Sequence, residues 1–250
     1  ASTKSCKYAG FSYEKGNFYG VQFHPEVTHT LSGRKILSNF LFGICRAKKD
    51  WNMKSVPLAI IKEIRETVGE KHVVVGISGG VDSLVAATLL HKAIGKRLHA
   101  VFVDHGLLRK GEVESVSKAL RARKFDLHVI DASSTFLARL KGVTDPEEKR
   151  KVIGHTFIEV FEKALERELK KHPVAFLAQG TIYPDRIESA AVGKHADKIK
   201  SHHNLTLPEK MKLKVVEPVR DLYKDEGRRV GERLGIPKEM VWRHPFPGPG

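Results

Sequence analysis

Cysteine is nearly missing from this sequence: 250 residues contain only Cys6 and Cys45. Two thiols cannot build a disulfide framework or a cysteine metal cluster, the pattern of a chain kept in a reducing compartment. Long apolar runs are missing as well. No stretch approaches the roughly 20 residues that a membrane-spanning helix needs, and the opening "ASTKSCKYAG" has no apolar core of a secretory signal. These absences lead to the expectation of a cytoplasmic protein that does not engage a membrane. Negative charge is also in short supply, with 29 Asp and Glu against 44 Lys and Arg and a formal net charge of +15. Such a surplus attracts polyanions. The basic residues are nevertheless scattered along stretches such as "EKALERELKKH", alternating with glutamate as on a solvated helix face. With no arginine tract and no interleaved aromatics, the charge favours small anionic ligands or solubility over nucleic acid.

What is present is enough for a packed core. Hydrophobic residues make up 41% of the chain, which allows one large domain or two small ones. The stretches "KHVVVGI" (71–77), "LHAVFVD" (98–104), "DLHVID" (126–131) and "VAFLAQG" (174–180) read as short, continuously apolar strands, as expected of parallel strands covered on both faces. Helical patterns lie between them. One runs from Ser83 to Ile94 and stops at Gly95, one fills about Gly111 to Arg123, and one begins at Pro146 and runs to about Lys171. Strands alternating with helices predict an α/β fold with a doubly wound parallel sheet. Two regions break the rhythm. Residues 1–50 contain "GNFYGVQFHPEV", a strand ending in a turn, then a helix through "LSNFLFGICRA", and look like the tail of a separate domain. Residues 183–208 are too long for an ordinary connection and read as a functional loop or lid.

The most informative stretch is "SGGVDS", where the first buried strand turns into a helix. Such a turn presents unpaired backbone N–H groups and the positive end of a helix dipole, which is an anion site. Gly79 and Gly80 lack the Cβ atoms that would hold a phosphate away from the backbone, and Ser78 and Ser83 add hydroxyls. Asp82 would repel phosphates unless it caps the helix or holds a bridging cation, for which Mg²⁺ is the natural choice. The loop is not a Walker A sequence, because no Gly-Lys-Ser/Thr follows, so γ-phosphate transfer is not indicated. As residues alone, a tight turn with an N-cap remains open beside the phosphate-binding reading.

In its strand-to-helix setting this string resembles the pyrophosphate-binding loop of the ATP pyrophosphatase superfamily, whose members adenylate a carbonyl oxygen and release pyrophosphate. Further stretches, "VFVDHGLLRKGE" (101–112), "GVTDPEEKRKVIGHTFIEVF" (142–161), "LAQGTIYPDRIES" (177–189), "IKSHHN" (199–204) and "HPFPGPG" (244–250), together resemble the GMP synthetase family. The resemblance covers essentially the whole chain. It implies an adenine nucleotide alpha hydrolase-like sheet that binds ATP and Mg²⁺, and adenylation of xanthosine monophosphate at its C2 oxygen followed by amination with ammonia from glutamine. It assigns ATP to Ser78, Gly79, Gly80, Val81, Asp82, Ser83 and Leu84, with Val103 and Asp104 bordering the adenosine and Asp82 taking the metal. It assigns Lys200, His202 and His203 to a lid over the phosphates. Two positions depart from the family pattern: Leu84 stands where many relatives have serine, and Leu205 to Pro208 replaces a glycine-containing segment.

The "GVQFHPEV" stretch is similar to the end of a class I glutamine amidotransferase domain, which implies His24 as base and Glu26 as its orienting partner for a cysteine nucleophile. Neither cysteine fits that nucleophile: Cys6 lacks the flanking glycines, and Cys45 follows the histidine on an expected helix. The resulting expectation is an amidotransferase remnant over 1–50, a linker and lead-in helix over 51–70, and an ATP pyrophosphatase domain over 71–235. Residues 236–250 would begin a linker to a carboxy-terminal dimerisation domain, making the protein a homodimer and this sequence an excerpt. Two other readings compete: a tRNA-modifying adenylating enzyme of the same superfamily, and a non-catalytic nucleotide- or RNA-binding module.

Overall fold

The computed structural model describes residues 1–50, 52–191 and 213–244. The chain folds into two compact units, Ala1–Trp51 and Asn52–Gly250. In the first unit, strands β1 (Gly10–Tyr13) and β2 (Phe18–Val21) form an antiparallel hairpin. Helix α1 (Gly33–Ser38) follows and runs on as a π-helical stretch, Asn39–Ile44. The start of α1 packs so closely on the preceding turn that a Cβ on Gly33 would lie 1.8 Å from the Pro25 carbonyl oxygen. Only glycine fits there.

The second unit begins with α2 (Val56–Val68), which carries Pro57 in its first turn and buries Ile61, Ile64 and Val68 along one face. The chain then alternates: β3 (His72–Ile77), α3 (Val81–Ile94), β4 (Leu98–Asp104), α4 (Glu112–Ala122), β5 (Asp126–Asp131), α5 (Ser133–Leu140), α6 (Pro146–Leu169), β6 (Val174–Ala178) and α7 (Tyr183–Ala191). Beyond residue 212 come β7 (Lys214–Val216), α8 (Lys224–Arg233) and α9 (Lys238–Val241). The strands pair in the order β5-β4-β3-β6-β7, every pair parallel. The chain winds outward from β3 through β4 to β5 and then returns to place β6 on the other side of β3. This reversal makes the carboxyl ends of β3 and β6 the switch point at which open α/β sheets bind ligands.

The pleat divides the core. Val73, Val75 and Ile77 of β3, with Leu98, Ala100 and Phe102 of β4, face α2, α3 and α8. Val74, Val101 and Val103 face the opposite layer, where Phe136 of α5 and Phe161 and Leu165 of α6 are buried. Helix α3 is buried from Leu84 through Leu90, apolar all round except for Thr88, whose hydroxyl donates back to the Leu84 carbonyl at 2.7 Å. No described helix is long and apolar enough to cross a membrane.

The expected parallel, doubly wound sheet is therefore present, with differences in detail. The strand read over 174–180 ends at Ala178, because Gln179 turns its amide to the Val216 carbonyl of β7. β7 and α5 were not anticipated. The segment read as a loop from residue 183 opens with helix α7, started by the Asp185 carboxylate, which accepts the Ile182 amide at 3.0 Å, with Pro184 in the first turn.

One backbone approach ties the sheet to the switch point. A Cβ placed on Gly180, just past β6, would lie 2.9 Å from the Ser83 nitrogen and 3.0 Å from its Cα. Gly180→Ala is expected to lower stability by about 1–3 kcal/mol through overpacking against backbone that cannot rotate away. Gly154→Ala, in the middle of α6 with nothing within 4 Å of the added carbon, is expected to raise it by about 0.5–1 kcal/mol. Urea unfolding of both variants checks the pair, and an unchanged Gly180→Ala midpoint would contradict the close approach.

Candidate functional site

At the end of β3 the chain must turn at once into α3, and the torsions of the turn follow its residues. Gly79 sits at φ +76°, in the region that favours glycine, and Gly80 is extended (φ −72°, ψ 154°) as the residue before the helix. Two hydroxyls hold the turn together. The Ser83 hydroxyl donates to the Gly80 carbonyl at 3.0 Å and lies 3.1 Å from the Ser78 hydroxyl, which in turn accepts the Gly80 amide at 3.3 Å. The Leu84 amide bonds the Gly80 carbonyl at 3.2 Å and begins the helix. The loop thus forms a closed ring of hydrogen bonds at the positive end of a buried 14-residue helix.

Asp82, in the first turn of α3, reaches across to α8. Lys224 Nζ donates to its Oδ2 at 3.0 Å, the lysine half exposed and the aspartate a quarter exposed. Lys224 is the first residue of α8, whose start is held by the Glu226 carboxylate accepting the Tyr223 amide at 3.0 Å. Gly231 lets α8 lie against α3, since a Cβ there would meet Val85 at 3.0 Å. Two helix N-termini therefore converge on one Asp–Lys pair. Behind the loop, the nearly buried Glu112 pairs with Arg243 and accepts the Arg109 amide at 3.1 Å, while Arg243 also donates to the Gly79 carbonyl.

Of the residues expected to bind ATP, the structure brings Ser78, Gly79, Gly80, Val81, Asp82 and Ser83 together in this loop. Leu84 is 3% exposed and packs in the core, so its side chain is structural. Serine at that position would be buried too, which removes the significance of the departure noted at Leu84. Val103 is likewise buried, whereas Asp104 stands at the end of β4 with its Oδ1 accepting the Gly106 amide at 2.9 Å. Next to it, burial holds the His105 imidazole below its ordinary pKa. Lys200, His202 and His203 lie outside the described residues. Lys224, Glu112, Arg109 and Arg243 were missed. Arg109 and Glu112 fall in a stretch that the family resemblance covers, but no local spacing marks a lysine 142 residues from its aspartate.

The donor set fits Mg²⁺. That ion takes oxygen ligands and is commonly held by one or two carboxylates together with substrate phosphates, keeping some of its water. Asp82 offers one partly exposed carboxylate beside the Ser78–Ser83 loop.

In the first unit, His24 and Glu26 meet as expected: Nδ1 lies 2.8 Å from Oε1. The Thr30 hydroxyl donates to the His24 carbonyl at 2.7 Å, and Gly33 closes on Pro25, so the turn between the pair is fixed from two sides. A hydrogen bond from its own backbone and another from His24 hold the Glu26 carboxyl below the usual range. A glutamate that stays ionised keeps the histidine proton on Nδ1 and leaves Nε2 free to act as a base.

Comparison with known proteins agrees with this division. A family model described as class-I glutamine amidotransferase matches residues 1–44, and one described as NAD synthase matches residues 54–151. The chain is 55% identical over 252 residues to the glutamine-hydrolyzing GMP synthase of Aquifex aeolicus, covering 100% of this chain and 48% of that protein. It is 57% identical over 236 residues to the one from Thermotoga maritima, covering 93% of this chain and 46% of that protein. Among solved structures, the NH3-dependent NAD synthetase of Campylobacter jejuni superposes with a TM-score of 0.56 at 16% identity, over 77% of this chain and 78% of that one. The NMN synthetase of Francisella tularensis gives 0.55 at 16% identity, over 78% and 76%. These two likenesses concern the fold alone. By sequence along its whole length, the chain belongs to the glutamine-hydrolyzing GMP synthase family, and it spans about half the length of the curated relatives it matches.

Proposed function

We propose that this chain carries the adenylating centre of a glutamine-hydrolysing GMP synthetase, joined to the histidine–glutamate end of its glutaminase. The observation that carries the reading is the hydrogen-bonded Ser78–Ser83 loop at the sheet's switch point, with the Asp82–Lys224 pair beside it. In this reading ATP lays its phosphates on the amides of the loop, and its adenosine runs toward Asp104. The C2 oxygen of xanthosine monophosphate attacks the α-phosphorus, the bond from that phosphorus to the bridging oxygen breaks, and pyrophosphate leaves. Ammonia then attacks C2, the C2–O bond breaks with release of AMP, and the attacking nitrogen loses a proton to give GMP.

What the protein must supply is stabilisation of the charge on the leaving pyrophosphate, from donors that do not reorganise during the step. The loop amides and the N-terminus of α3 do so from fixed positions. Lys224 adds a cation that Asp82 holds in place until phosphates arrive. Mg²⁺, when bound at Asp82, supplies further neutralisation of the same charge. Lys200, His202 and His203 belong to the same proposal as added positive charge toward the phosphates. Homodimerisation, and glutamine as the source of ammonia through His24 and Glu26, rest on the family likeness and on the His24–Glu26 contact respectively.

Exchange of labelled pyrophosphate into ATP in the presence of xanthosine monophosphate tests the adenylating centre. Asp82→Asn and Lys224→Ala are each expected to slow exchange by about 10²–10³-fold, the usual cost of removing one preorganised electrostatic contact. Asp82→Asn should in addition raise the Mg²⁺ concentration needed for half-maximal rate. A protein that binds ATP yet supports no exchange would instead be a nucleotide-binding module.

The glutaminase assignment separates cleanly from this. His24→Ala is expected to reduce glutamine-dependent GMP formation by at least about 10³-fold, as loss of a triad base does. The ammonium-dependent rate should be unchanged. Equal loss with both nitrogen sources would overturn the role given to His24.

A further inference from the structure

At the other end of β3 from the phosphate loop, three histidines from three neighbouring segments meet. His72 opens β3, His99 is the second residue of β4, and His172 sits two residues before β6. His72 Nδ1 and His99 Nε2 face each other at 2.8 Å, with ring planes 8° apart. The His172 ring lies against both, its centroid 4.2 Å from that of His99 and 5.3 Å from that of His72. A tight turn, in which the Val174 amide bonds the His172 carbonyl at 2.8 Å, holds His172 at the mouth of the cluster. His99 is 1% exposed and the other two are half-buried.

Behind His99 stands a carboxylate. Asp126 Oδ2 lies 2.7 Å from His99 Nδ1, and its Oδ1 lies 3.3 Å from His128 Nε2. Burial raises the Asp126 pKa, but the His99 hydrogen bond and the His128 and His99 charges outweigh it, so the carboxyl stays below its usual range. An ionised Asp126 keeps the His99 proton on Nδ1 and turns the Nε2 lone pair toward His72. A carboxylate orienting an imidazole by its far nitrogen is the common outer-shell arrangement of histidine metal sites. Burial first, then the neighbouring imidazoles and Arg97, hold His72 below its ordinary value, which favours its neutral form. The charge of Arg97 is itself countered by Glu70 at 3.5 Å.

We propose that His72, His99 and His172 form a binding site for one divalent transition-metal ion of the zinc, cobalt or nickel type, which clamps the amino ends of β3, β4 and β6. One nitrogen from each ring already lies within 4.8 Å of the other two. Tetrahedral ligation at the usual Zn–N distance places ligand nitrogens about 3.3 Å apart. His72 and His99 would separate by about half an ångström on that basis, and the His172 ring would turn about its own axis to bring its nitrogen inward. The proton His72 now places between the two rings moves to its other nitrogen, so the ion takes over the position of a hydrogen bond. Three imidazole nitrogens with an open fourth position select such borderline ions over Mg²⁺. The site is therefore chemically distinct from the oxygen-lined loop. It is also remote from it: the six residues of β3 separate the two by about 17 Å.

The test uses the whole protein without an affinity tag, treated with a chelator and dialysed, then titrated with Zn²⁺ by calorimetry and with Co²⁺ by visible absorption. One ion per chain is expected at these histidines, with Co²⁺ bands of tetrahedral intensity and a thermal midpoint several degrees higher with Zn²⁺ but not with Mg²⁺. His72→Ala and His172→Ala should each weaken Zn²⁺ binding at least tenfold and abolish the Co²⁺ bands. Asp126→Asn, which keeps all three ligands, should weaken it about 10–100-fold. Pyrophosphate exchange in each variant, being independent of this end of the sheet, reports whether the protein is folded. Absence of saturable binding to the wild type, or binding that all three folded variants retain in full, would overturn the proposal.

Discussion

The site depends on a contact between two stretches of backbone. Gly180, where the chain leaves β6, lies directly against Asp82 and Ser83, where it enters α3. Any side chain at 180 would push the helix start away from the sheet, and the amides of residues 80–83 would no longer border the crevice between β3 and β6. The approach is enforced from behind, because α3 is apolar from Leu84 to Leu90 on nearly every face and is locked between the sheet, α2 and α8. A helix buried on all sides cannot slide without opening a cavity. Its N-terminal dipole is therefore aimed by packing, and the Ser78–Ser83 loop inherits its rigidity from the core.

Charge pairs then sharpen what packing has placed. Asp82 and Lys224 are both partly open to solvent, so their attraction contributes little to stability. Its effect is positional. A lysine in the first turn of α8 opposes that helix's dipole, and Asp82 offsets the mismatch while keeping the ammonium over the crevice. In the proposed adenylation, phosphates in the loop would give the same lysine a better partner and release Asp82 toward a cation. The more buried Glu112–Arg243 pair differs. Glu112 is only 7% exposed, and a carboxylate so placed needs its cation. Through Arg243 it also reaches the Gly79 carbonyl, fixing the one residue of the loop in a left-handed conformation.

The sequence announced those parts of the fold that follow from local pattern. The continuous apolar runs of β3 and β4 and the Gly95 stop after α3 are consequences of burial and of a left-handed cap, both readable residue by residue, whereas β5 is a half-exposed edge strand. β7 was illegible because three residues, Lys214 to Val216, half exposed at a sheet edge, carry no periodicity. α7 was hidden by mixed polarity, although Pro184 and Asp185 are start signals. The site divides in the same way. Ser78 through Ser83 are contiguous and announce an anion-binding turn. Lys224 and Arg243 come to that turn only through the α3–α8 packing and through the chain's later return, long-range facts that no local spacing records. Leu84 shows the converse: the resemblance extends the ATP assignment to it, while its side chain belongs to the core.

The first unit poses a different physical problem, and its two unusual features have one resolution. Fourteen of the 21 large hydrophobic residues exposed among those described lie within residues 1–50, including Phe11, Phe18, Phe40 and Leu41. So much uncovered apolar surface on a hairpin and one helix is a surface built to be covered. The His24–Glu26 pair sits on that same unit with its side chains 79% and 60% exposed. An open histidine–glutamate pair is a weak general base, because water screens the carboxylate and competes for the imidazole. In the proposed glutaminase role, enclosure by apolar surface would lower the local dielectric and strengthen the pair's hydrogen bond. Under that proposed role, the covering that the exposed aromatics call for is the same covering that the pair calls for, and residues 1–44, which hold both, match a class-I glutamine amidotransferase model.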